Sequence, residues 1–96
     1  MAQQVTITID AQIALKPLIE AALRSELRML ELSIQRTAQR LRAFEAQYGM
    51  ASDEFERRFN AGGVEESLDF IEWAGEIKTY QLLDAQRQAL QGVQLT

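Results

Sequence analysis

One stretch constrains this chain more than any other. From Leu18 to Tyr48 there is neither glycine nor proline, and alanine, leucine, arginine, glutamate and glutamine dominate, all of them good helix formers. Within it Leu23, Leu27, Leu30, Ile34, Thr37, Leu41, Phe44 and Tyr48 succeed one another at alternating spacings of four and three. That is an a/d heptad series with a single polar member, Thr37. So narrow an apolar seam on a long helix demands a second helix to cover it, from the same chain or from another copy. Gly49 follows as a C′ residue, where a left-handed backbone ends many helices. Upstream, Asp10 is an N-cap candidate. Lys16-Pro17 falls early in the segment, where proline fits a first helical turn and little else. The expected helix covers about 11–48.

The segments on either side read differently. Residues 4–9 alternate strictly, with Val5, Ile7 and Ile9 on one side and Gln4, Thr6 and Thr8 on the other. This is the pattern of a half-buried strand. No second strand is legible, and a lone strand leaves backbone groups unpaired, so the expectation is a two-stranded ribbon across a dimer twofold. Val5, Ile7, Ile9, Leu27 and Ile34 are the expected dimer interface. After Gly49, Ser52-Asp53-Glu54 is a helix-start signal, a hydroxyl followed by two acids. Asn60-Ala61-Gly62-Gly63 ends that short helix, expected over 52–60. A final helix is expected over 65–91, with Phe70, Trp73, Ala74, Ile77, Tyr80 and Leu83 on its apolar side. Gly92 ends it, and the last residues are expected to fray.

Composition narrows the chemistry. The chain of 96 residues is at most one domain and has no cysteine and no histidine. Disulfides, thiolate metal sites and the commonest general base are therefore excluded. No apolar run is long enough to span a bilayer, and the N-terminus lacks a basic leader region, so a cytoplasmic location is expected. The net charge of −4 is uneven: residues 1–48 carry six basic and five acidic side chains, and residues 49–96 carry four and nine. An acidic half can serve as a partner-facing surface.

Three kinds of chemistry compete. Glu65, Asp69, Glu72 and Glu76 share a helical face by spacing and suggest a divalent-metal site, but a facing helix offers only scattered Glu26, Glu31 and Glu45. Arg24, Arg28, Arg36, Arg40 and Arg42 form a basic series interleaved with acids, Glu20 standing four before Arg24 as in an intrahelical ion pair. Gln4, Thr6 and Thr8 have the side chains that a two-stranded ribbon uses to read bases, which makes them candidate DNA contacts. The strand has no Lys or Arg to hold phosphates. Phe70, Trp73, Ile77 and Tyr80 are candidate partner contacts, because aromatic anchors favour interface centres. At helical spacing the same residues also suit a core.

The series Tyr48-Gly49-Met50, Ser52-Asp53-Glu54-Phe55, Arg58-Phe59, Gly62 and Asp69-Phe70-Ile71-Glu72-Trp73-Ala74 resembles a group of small bacterial and archaeal proteins. They combine a short strand, a long charged helix, a similar connector and a "DFxEW" helix, and they look like antitoxins of type II toxin–antitoxin modules. The resemblance spans most of the chain. This sequence departs from the pattern at Gly63-Val64-Glu65-Glu66-Ser67 and in the low charge of its strand. The resemblance implies a cognate toxin as partner and autoregulatory contact with DNA.

The resulting expectation is an all-α fold with one short N-terminal strand, a long antiparallel helical hairpin with a short connecting helix, and a dimer. The expected function is non-catalytic binding that neutralises a toxin by occluding it with a helical surface, with no cofactor. The alternatives are a coiled-coil-like structural or adaptor dimer and a metal-dependent helical hydrolase.

Overall fold

The computed structural model describes residues 4–6 and 14–95. Five elements follow in order: β1 (Gln4–Val5), α1 (Leu15–Tyr48), α2 (Ser52–Asn60), α3 (Leu68–Gln91) and β2 (Gln94–Leu95). Arg40 of α1 meets Glu76 of α3, and Tyr48 meets Asp69, so the two long helices run antiparallel. This is the hairpin that the heptad seam requires, closed within one chain. At 1.5 Å per residue α1 is about 51 Å long and α3 about 36 Å. The longer helix overhangs the shorter, and the molecule is a rod of 61 × 22 × 17 Å.

The seam packs inward as its spacing demands. Leu30, Ile34 and Thr37 are buried on α1, and Trp73 and Ile77 on α3. Thr37 is tolerated at the centre because its hydroxyl donates to the Ser33 carbonyl at 3.0 Å, so no polar atom is stranded there. At one end α1 stops at Gly49, whose φ of 63° is the left-handed conformation that a side chain would disfavour. Its N–H donates to the Glu45 carbonyl. The chain then turns into α2, which has the expected bounds, and Phe55 is carried beneath the hairpin.

Four expectations change. First, α1 begins at Leu15, with Ala14 as N-cap and no capping side chain; Asp10, the expected cap, lies outside the described residues. Pro17 explains the late start: three residues into the helix its missing N–H is one of the four that lack an intrahelical partner anyway, whereas a start at 11 would place it in the interior. Second, α3 begins at Leu68 because Ser67 caps it, its hydroxyl accepting from the Phe70 N–H at 3.1 Å. Glu65 and Glu66 thus stand in the connector. Third, strand structure in the 4–9 segment is confined to Gln4–Val5 among the described residues; Ile7, Thr8 and Ile9 lie outside them. Fourth, that strand is not alone. It pairs in parallel with β2, Gln4 opposite Gln94 and Val5 opposite Leu95. The tail that was expected to fray supplies the backbone partner, so the argument that a second chain must do so falls away.

Candidate functional site

Aromatic residues from all three helices converge at the α2 end of the rod. Trp73 is fully buried and Phe55 nearly so, at 0% and 1% exposure. Their rings stack with centroids 3.9 Å apart and planes within 2°. Phe44 stacks on Trp73 at 5.5 Å, Tyr48 meets Phe70 edge-on at 5.0 Å, and Phe59 leans on Phe55 at 5.5 Å. Polar contacts lock this aromatic knot. The Trp73 indole N–H donates to the Ser52 hydroxyl at 3.0 Å, and the Ser52 backbone N–H donates to the Glu45 carboxylate at 2.8 Å. Ser52 is therefore not the N-cap that its position suggests; Ala51 takes that place, and the hydroxyl serves the tryptophan. The Tyr48 hydroxyl donates to Asp69. Each of these residues has a structural task here, and together they close the end of the hairpin.

This placement corrects the list of partner contacts. Trp73 and Ile77 are core, at 0% and 6% exposure. Phe70 packs against the same cluster and is only partly buried. Tyr80 lines a shallow cleft with Leu41, Glu45, Asp53, Glu56 and Gln81, where Gln81 donates to Glu56 at 3.1 Å. Of the expected dimer residues, Ile34 is buried by its own chain, Leu27 is half-buried and Val5 is exposed. Gln4 and Thr6, the described members of the candidate DNA set, are exposed.

The acids do not converge either. Asp69 is held by Tyr48 and Gln47, Glu76 pairs with Arg40 at 3.1 Å across the hairpin, and Glu65 lies off the helix. No three acids among the described residues come together as a group that could hold a metal ion. Arg40, expected to pair within its own helix, instead joins the two long helices. No ion pair between Glu20 and Arg24 is found among the described residues. No helix among them is long and apolar enough to cross a membrane.

What the sequence reading overlooked is the outside of the hairpin. Leu18, Met29 and Leu32 on α1 are 60%, 61% and 53% exposed, and Leu68, Ile71 and Leu82 on α3 are 85%, 53% and 59% exposed. At 100° per residue each trio falls on one face. A second series, Leu18, Ala22, Ser25, Met29 and Leu32, repeats the four–three spacing of the inner seam on the opposite side of the helix. That signal was legible but was hidden by the stronger one.

No family model, curated protein or solved structure significantly matches the chain.

The Tyr48–Asp69 contact gives the knot an alkaline limit. The hydrogen bond to Asp69, with smaller contributions from desolvation and from the carboxylate charge, raises the Tyr48 pKa above its ordinary value. A group whose pKa is raised on folding contributes stability that is fully present below its unfolded pKa and is lost as pH rises through the folded one. The loss is therefore expected to begin above about pH 10. Thermal melts of the native chain and of Tyr48→Phe between pH 8 and 11.5 check this: the native chain loses an increment above pH 10 that the variant lacks. Parallel profiles would remove the linkage.

Proposed function

We propose that this chain is a non-catalytic binding protein that engages a basic protein partner through the outer face of α3, in the manner of an antitoxin occluding its toxin. The observation that carries the reading is the exposed set Leu68, Ile71 and Leu82 with Glu65, Glu66 and Glu72 exposed around its start. Apolar anchors with a charged rim are how interfaces are built, and an acidic rim speeds encounter with a basic surface. The anchor thus moves from Trp73, which is needed in the core, to Ile71 and Leu68. Contact with DNA through Gln4 and Thr6 has less support, because β1 is two residues long and carries no basic side chain.

A second reading, a structural or adaptor dimer without a toxin, is favoured by the burial of Trp73. Co-expression with the product of the neighbouring reading frame separates the two. The antitoxin reading expects a stoichiometric complex and rescue of growth, both lost in Ile71→Lys and retained in Gln39→Lys on α1. Absence of a complex with the native chain would leave the structural reading.

A further inference from the structure

We infer that two copies of this chain associate through the outer face of α1, along Leu18, Ala22, Ser25, Met29 and Leu32. This surface lies opposite the seam that packs on α3, and the inference does not depend on the partner proposed for α3.

The hairpin is only two helices thick, and that leaves it short of cover. A folded monomer of 10.9 kDa is expected to expose about 5,600 Å², whereas this chain exposes 7090 Å². Its radius of gyration is 18.6 Å, against about 12.5 Å for a compact domain of this length. The surplus surface, roughly 1,500 Å², is of the size that one subunit of a stable homodimer buries. Both outer faces carry apolar side chains, but they differ in kind. The α3 stripe is interrupted by Gly75 and by the charge of Lys78, whereas none of the five α1 positions is charged.

The order of large and small side chains favours a second copy in antiparallel register. With Ser25 on the twofold axis, Leu18 of one copy faces Leu32 of the other, and Met29 faces Ala22. The Met29–Ala22 pairs then set a large side chain against a small one on either side of a close central approach, and the leucine pairs close the two ends. An isologous contact needs a self-complementary patch, and this stripe is one. Arg36 and Gln39 follow at the next two positions and end it.

Sedimentation equilibrium of the full chain is expected to give twice the monomer mass. In Met29→Glu/Leu32→Glu, both substitutions fall on exposed sites, so the helical circular dichroism should be unchanged. The dimer dissociation constant should rise by at least about 100-fold, since each contact would bury an unpaired carboxylate. The chain has no cysteine, so Ser25→Cys adds the only thiol, and mild oxidation should convert it to a disulfide-linked dimer. A native chain that stays monomeric at 100 µM would overturn the inference. So would a dimer that survives the double variant, or one that Ser25→Cys fails to cross-link.

Discussion

Trp73→Ala is expected to cost about 3–5 kcal/mol, the range for removing a large buried aromatic. The side chain is wholly enclosed, stacks on Phe55 and Phe44, and donates its indole N–H to Ser52. Its removal opens the cluster in which all three helices meet and frees Ser52 from one of the contacts that tie α2 to α3. Against a typical total stability of about 5–15 kcal/mol this is a large share. The melting temperature should fall by at least about 12 °C, at about 4 °C or more per kcal/mol for a chain of this size. Trp73→Phe keeps a ring in the stack and gives up the hydrogen bond, so it should lose less than half as much. Urea titration followed by far-ultraviolet circular dichroism measures both. A loss below about 1 kcal/mol for Trp73→Ala would mean that the knot is not the core of this protein.

Phe55→Ala is expected to cost a similar amount, about 3–5 kcal/mol, for a different reason. Phe55 is the only buried residue of α2, a nine-residue helix whose remaining side chains face water or lie at the margin. A helix that short is not stable alone, so without this anchor α2 should detach and melt as a unit. Because Phe55 and Trp73 touch face to face, their losses should not add. The double variant should be less destabilised than the sum of the single ones by about 0.5–3 kcal/mol, as for residues in direct contact. Hydrogen exchange locates the effect: amides of α2 should lose protection before those of α1. Additive losses, or uniform exchange across the chain, would refute this account.

How much of the molecule could be read in advance depended on how local the signal was. The α1 seam, the Gly49 stop and both ends of α2 rest on spacings and turn residues within a few positions of one another, and the structure has them. The partner of Gln4–Val5 could not be read, because Gln94–Leu95 are too few residues to show a strand pattern and lie at the far end of the chain. The fate of Trp73 was equally hidden. An aromatic at helical spacing suits a core or an interface, and what decided between them was Phe55, delivered from beneath by a separate helix. Ser52 is a milder instance: in sequence it reads as a helix cap, and only the tertiary fold brings an indole N–H to its hydroxyl. The outer α1 series was fully local and still went unread, because the inner seam already accounted for the helix.

The pairing of β1 with β2 has a consequence for how the chain is arranged as a whole. Gln4 and Gln94 stand side by side, about 4.8 Å apart across the ladder, so the path of the polypeptide is nearly a closed ring. The two strands therefore bring the beginning and the end of the described fold to one pole of the rod, opposite the aromatic knot. A short linker joining the ends would allow the ring to be opened instead at the exposed Gly62-Gly63 turn, at the opposite pole, with every helix kept intact.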